Sequence, residues 1–483
     1  MIFKINNIHF YGYLVLTLFL VACSDDFLEV TPKGNLIAQN VEDYDRLLDD
    51  LSLLTIPDVT IPLGDEVAAI DPFFSSEELR TRRLFKWEAM VYNEGQNSQE
   101  LEGLMPIIYN YNKIINEVQE ARNGTESEKL ELEAEARVGR AFTYFTLINY
   151  YAKPYDPATA SSDLGFPIVI ENDITATDYT RNTVQEVYDF IIADLDAAVP
   201  YLSEGIDQRH RASAAAAEAL LGKVLMFQQE FDLALEHFDA AIGYLESSSL
   251  DVALYDYNTE FLEGGVFTPI DFLFGPSSVL RQDDTEIIYT KEITNAWAFI
   301  RNELVITPET ANLFKDSDLR LNFYSDTQFF GTEPFYPNGM LRKIGPFIQR
   351  VGIYLPDITL LRVEARARLG LLEDATQELE AFRAKRMSAE EVAVPTEIAT
   401  DKDKLVEFIF EERLREFALS GYRWFDMRRL SVDPEYNDLV GYTHRLYNPE
   451  GEVLETFMLT KERFALRFGD VVTSQNPNLI ENP

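Results

Sequence analysis

The chain has 483 residues, 46% of them hydrophobic, and carries 82 acidic against 42 basic side chains, a formal net charge of −40. The hydrophobic fraction excludes a disordered acidic chain, and the charge excludes nucleic acid and electrostatic docking on anionic lipid. One cysteine, Cys23, excludes a disulfide framework and any multi-thiolate metal centre.

The first element is a leader. Lys4 gives a weakly positive start, and residues 13–22 (YLVLTLFLVA) form an apolar run too short to span a bilayer. The run ends Leu20-Val21-Ala22-Cys23, which resembles a bacterial lipobox and makes Cys23 the site of lipid attachment on a mature chain 23–483. The alternative is a plain secretory signal with an incidental cysteine. Acyl chains contribute about 0.8 kcal/mol per buried CH₂, so such an anchor is effectively permanent. The following Ser24-Asp25-Asp26 resembles the signal that sends lipoproteins of the Bacteroidetes to the outer leaflet of the outer membrane.

Residues 35–99 read as irregular. Helix pairs follow, in three regions, 100–152, 183–247 and 356–430. Residues 131–150 carry apolar side chains at helical spacing, and Thr183 with Glu186 forms a capping box at the head of 183–202. In 214–245, Leu221, Gly222 and Leu225 are followed by Ala234, Phe238 and Ala241, the tetratricopeptide pattern of small residues letting two helices approach. Gly370, Leu372, Ala375 and Leu379 repeat part of it. Residues 250–350 are rich in breakers, with short strand-like runs such as 286–290. They nonetheless hold 17 of the chain's 60 aromatic residues, which calls for a satellite core or a binding surface. The fold expected is mostly α, a tetratricopeptide-like helix-pair scaffold with a loop-rich lobe containing short strands (35–99 and 250–350).

Enzyme signatures are sparse. His210, His237 and His444 are widely separated, and no zinc, nucleophile-elbow, dinucleotide or phosphate-loop spacing occurs, so no metal, cofactor or catalytic residue is expected. Carboxylate pairs carry no information among so many acids. The densest constellation is residues 408–430: a helix with Glu411, Glu412, Arg413, Arg415 and Glu416, a stop at Gly421, then Arg423, Trp424, Asp426, Arg428 and Arg429. Every acid there has an arginine neighbour, so a buried ion-pair network is expected rather than a titrating base.

With that segment the resemblance becomes specific. CSDDFLEVTPK at 23–33, YNYNKIIN at 109–116, AEARVGRAFTYFTLINYYAKPY at 134–155, EERLREFALSGYRWFDMRR and the closing NPNLIENP together resemble the SusD/RagB family of Bacteroidetes outer-membrane lipoproteins. The resemblance implies about four tetratricopeptide-like units and a loop-rich lobe bearing the ligand site. It also implies partnership with a SusC-like TonB-dependent transporter, and a glycan or other oligomeric nutrient as cargo. Asp318 and Arg320 resemble a structural D-x-R element of the family.

Three functions follow: a surface lipoprotein that captures oligosaccharide for the transporter, a peptide-binding lipoprotein of the same uptake type, and, with least support, a lipid-anchored hydrolase. Sugar C–H faces stack on aromatic rings while polar groups take the hydroxyls. The candidate ligand residues are therefore Trp87, Tyr92 and Asn93 in the first irregular region, and Trp297, Arg301, Phe335, Tyr336 and Asn338 in the second. The alternative for each aromatic is packing in a satellite core.

Overall fold

The computed structural model describes residues 38–483 except 174, 176 and 272. The leader, Cys23 and the 23–33 signature lie outside the described residues. The chain is mostly α-helical, a stack of helix pairs with a loop-rich lobe of short strands, as its periodicity and family resemblance lead one to expect.

Ten helices build the scaffold: α1 (Val41–Leu48), α2 (Gln99–Glu117), α3 (Glu126–Tyr151), α4 (Val184–Ala198), α5 (Ala214–Gln228), α6 (Phe231–Leu245), α7 (Leu355–Arg368), α8 (Leu372–Arg383), α9 (Lys402–Phe417) and α10 (Arg423–Leu430). Helices α3 and α4 both start on capping boxes, Thr125 with Glu128 and Thr183 with Glu186, each satisfying two otherwise orphaned backbone donors. Successive helices lie against one another: α2 and α4 on α3, α5 on α6, α6 on α7, and α7 on α8 and α9.

The tetratricopeptide pattern is realised at α5 and α6. A Cβ on Gly222 would stand 2.6 Å from the Phe238 ring and 3.0 Å from the Ala234 carbonyl oxygen, so only glycine permits this approach. The turn between α7 and α8 passes through Gly370 at φ +77°, a left-handed conformation.

A four-stranded sheet forms the base of the lobe: β1 (Val67–Ile70), β2 (Leu304–Ile306), β3 (Thr443–Tyr447) and β4 (Val453–Met458), in the order β4-β3-β1-β2. β1 is antiparallel to β2 (Val67 opposite Ile306) and parallel to β3 (Ala69 opposite Leu446). The strand-like run at 286–290 forms Ile287–Tyr289, paired with Ile353–Tyr354; Glu292–Thr294 pairs with Ile348–Arg350.

The arginine-rich C-terminal segment is buried between these parts. Asp426 accepts from Arg413 and Arg429 at 2.8 Å each, Arg429 also reaches Glu364 at 2.6 Å, and Arg423 grips Asp65 at 2.6 Å. Burial pushes the Asp426 carboxyl up, and the neighbouring guanidiniums of Arg413 and Arg429 more than offset this, leaving it at about 2. Asp318 and Arg320 form a buried pair at 2.6 Å. Both sets are buried and paired, the first as expected from its composition and the second in line with the family resemblance of the D-x-R element.

Candidate functional site

The residues nominated from sequence separate into two groups. Trp87 is 4% exposed; its indole N–H donates to the Leu63 carbonyl at 3.1 Å, and its ring stacks on His444 at 3.7 Å. Trp297 is 2% exposed, and its N–H donates to the Glu303 carboxylate, whose pKa burial raises to about 7. Tyr92 is buried with its hydroxyl on Glu100. Tyr336 is buried, donating to the Asn302 carbonyl at 3.2 Å. This corrects the expectation that these four rings form a stacking platform. Each polar atom has found a protein partner and each ring is covered by neighbours, so no face is left for a ligand.

The other four keep contact with solvent. Asn93 is exposed and accepts from Arg83 at 3.2 Å. Asn338 is exposed and donates to the Gly451 carbonyl at 2.9 Å. Arg301 is committed to Glu77 and lies 5.7 Å over the Trp297 ring. Phe335 is half-buried, edge-on to Phe73 at 5.5 Å.

The open aromatic surface of the lobe is made of phenylalanines instead. Phe274 stacks on Phe299 at 5.0 Å; Phe299 also meets Phe347 at 5.0 Å and Phe329 at 6.2 Å; Phe330 lies 4.3 Å from Phe329. Phe330 is 74% exposed and Phe274 44%, and Ile300, next to Phe299, is 49% exposed. Two exposed rings and an exposed isoleucine, backed by the half-buried rings of Phe299, Phe329 and Phe347, form one apolar patch.

One nominated residue, Tyr336, helps to brace this patch from beneath, together with Asn302 and Arg342, which the sequence did not single out. The Asn302 side-chain oxygen accepts the Phe329 backbone N–H at 2.7 Å and the Tyr336 hydroxyl at 3.2 Å. The buried Arg342 guanidinium lies 5.9 Å under Phe329 and donates to the Phe299 carbonyl at 3.0 Å. The loops that carry the rings are thus held from below, and the platform is preorganised. The aromatic excess in 251–350 was its only trace in the sequence; it did not say which rings face out.

Elsewhere, a cavity lies between α1 and the start of α3. It measures about 640 Å³ and is lined by Glu42, Asp45, Glu131, Glu135 and Arg211 among others. Burial raises Glu135 to about 7 although Arg211 grips it with two hydrogen bonds. No group of three His, Cys, Asp or Glu side chains able to hold a metal occurs among the described residues.

Comparison with known proteins gives a consistent set of relatives. The family described as "Starch-binding associating with outer membrane" matches residues 26–226, and the one described as "SusD family" matches residues 353–476. A curated relative, a SusD-like protein of Bacteroides ovatus, is 27% identical over 319 residues; the match takes in 58% of this chain and about half (53%) of that protein's length. Among solved structures, a SusD superfamily protein of Bacteroides thetaiotaomicron superposes with a TM-score of 0.70 at 17% identity, covering 92% of this chain and 100% of that one. A SusD-like carbohydrate binding protein of Bacteroides vulgatus gives 0.65 at 17% identity, covering 91% and 97%. At these identities the structural likeness is one of fold.

Proposed function

The chain belongs to the SusD/RagB family, and on that premise we propose that it is a surface-exposed lipoprotein that captures an oligosaccharide on its phenylalanine platform and delivers it to a SusC-like TonB-dependent transporter. The observation that carries this reading is the cluster of Phe274, Phe299, Phe329, Phe330 and Phe347, in which Phe274 and Phe330 are exposed, the other three rings are half-buried, and the loops are braced from below. Flat apolar rings match the C–H faces of pyranoses, and each stacked ring adds affinity without an ordered side chain having to be immobilised on binding. The family's starch-binding description and the carbohydrate-binding relative support the same cargo class. Anchoring falls to lipid on Cys23, since no described helix is long and apolar enough to cross a membrane. The role is binding and hand-over, with no catalytic step.

One feature favours a second cargo. β4 is the free edge of its sheet and exposes Leu454 and Met458 (53% and 60%), which an extended peptide could pair with as an added strand. The test is affinity electrophoresis and calorimetry against neutral glycans and extended peptides, with Phe330→Ala and Phe274→Ala beside the parent. Glycan binding lost in both variants at unchanged melting temperature supports the platform. Glycan binding indifferent to both refutes it, and peptide binding in its place selects the second reading.

A further inference from the structure

A separate cavity of about 310 Å³ is lined in part by residues that neighbour the platform along the chain. Platform residue Phe347 sits between Pro346 and Ile348, which both line the cavity, and Ser277, also lining it, is three residues beyond Phe274, at most about 11 Å along the chain. The volume is at the low end for ligand pockets, about 300–1,000 Å³. It holds about ten waters at about 30 Å³ each, or one sugar ring, but not a chain.

The cavity walls define the chemistry of an occupant. Tyr257 is packed on Phe267 at 5.2 Å and on Phe323 at 6.0 Å, giving a continuous aromatic surface. All of the charged groups except Lys343 are paired with opposite charges. Arg281 holds Glu292 at 2.8 Å, Arg350 holds Asp284 at 3.1 Å, and Arg320 holds Glu416 at 3.1 Å. Lys343 donates to the Ala418 carbonyl at 2.8 Å, to Ser420 Oγ at 2.9 Å and to the Tyr324 hydroxyl at 3.3 Å, using all three of its protons. Only Lys343 lacks a carboxylate partner, and with its three protons already donated and burial lowering its pKa to about 7 it offers a ligand no hydrogen bond, so an uncharged occupant fits.

One polar group is left over. Five tyrosines line the cavity. The hydroxyls of Tyr255, Tyr324, Tyr354 and Tyr422 donate to the Asp283 carbonyl, the Ala418 carbonyl, Glu286 and the Arg350 carbonyl. The Tyr257 hydroxyl has no hydrogen-bond partner among the described residues, although the side chain is 93% buried, being 7% exposed. The hydroxyl oxygen is not sealed off by protein: it borders the cavity and is free to pair with what fills it.

We propose that this cavity is a subsite for a single neutral sugar ring. Its C–H face lies on the Tyr257–Phe267–Phe323 wall, and one of its hydroxyls pairs with the Tyr257 hydroxyl. The inference rests on the glycan reading of the platform: an oligosaccharide lying over the phenylalanines places its terminal residue in the cavity, so the protein reads chain ends.

The test titrates the purified protein with glucose, galactose, mannose and xylose, followed by saturation-transfer NMR, in parent, Tyr257→Phe and Phe330→Ala forms. At least one monosaccharide is expected to bind saturably in about the millimolar range. Tyr257→Phe should weaken it about tenfold, the worth of one hydrogen bond, at unchanged melting temperature because the hydroxyl supports nothing in the protein. No saturable binding by any of the four sugars, or binding that survives Tyr257→Phe and is lost in Phe330→Ala, would overturn the cavity assignment. Failure of the platform reading is visible separately, as oligosaccharide binding indifferent to Phe330→Ala.

Discussion

Replacing Trp87 with alanine should unfold the lobe more easily rather than weaken a ligand. The ring is 4% exposed and hides about 200 Å² more than alanine would. At about 25 cal/mol per Å² that burial is worth about 5 kcal/mol, in line with the roughly 3–5 kcal/mol measured for core tryptophan truncations. The Leu63 carbonyl loses its donor, and His444, stacked between Phe85 and Trp87 at 4.4 and 3.7 Å, loses one of its two aromatic faces. If all described residues unfold as one unit, a loss of about 4 kcal/mol lowers Tm by about 4–5 °C, and by more if the lobe melts alone. A second readout is His444 itself. Burial holds its pKa down to about 4, so admitting water on the vacated side should move the imidazole titration upward, visible by NMR. The control is Phe330→Ala, whose ring is 74% exposed and whose stability should change by less than about 0.5 kcal/mol, with affinity falling about two- to tenfold. Thermal melts run beside binding isotherms separate the two. A Trp87→Ala protein that melts normally but no longer binds glycan would refute the reasoning and return the tryptophan to the ligand surface.

Three further outcomes are expected. The Asp426 carboxyl, at about 2 in the fold against 3.8 unperturbed, contributes stability that is present above pH 3.8 and lost as pH falls through about 2; the loss is about 2 kcal/mol. Denaturant midpoints between pH 5 and pH 2 should show that drop in the parent and not in Asp426→Asn, which is already weakened at neutral pH by about 3–5 kcal/mol because Arg413 and Arg429 lose a counter-charge. Gly222→Ala should destabilise by about 1–3 kcal/mol in urea titrations, because the overpacking against Phe238 outweighs the helix propensity gained; a higher midpoint would show that α6 can simply retreat. Cys23→Ala should leave a folded protein released from the outer membrane, read by fractionation and protease shaving; a variant that still co-fractionates in cells lacking the transporter would disprove lipid anchoring.

What the sequence determined by itself was local. The apolar spacing of 131–150, the Thr183–Glu186 capping box and the Gly222–Ala234–Phe238 offsets each depend on residues within a turn or two of helix or on the next helix along. The structure reproduces them because backbone hydrogen bonding and side-chain period act at that range. The ionic role of residues 408–430 was legible for a related reason, since arginines that dense among acids must pair. Their partners were not legible: Asp65, Arg320 and Glu364 arrive from other parts of the chain. The sheet was hidden for the same cause. β1 is buried along its whole length and shows no alternation, and its neighbours β2 and β3 lie more than two hundred residues away. The ligand surface shows the limit most clearly. Residue type made Trp87 and Trp297 better stacking candidates than any phenylalanine, but exposure is set by what the rest of the chain lays over a ring. His444 and the Leu63 carbonyl close over Trp87 and Glu303 claims Trp297, while Asn302 and Arg342 hold Phe329 and Phe299 up to the surface, and only the tertiary fold brings those residues together.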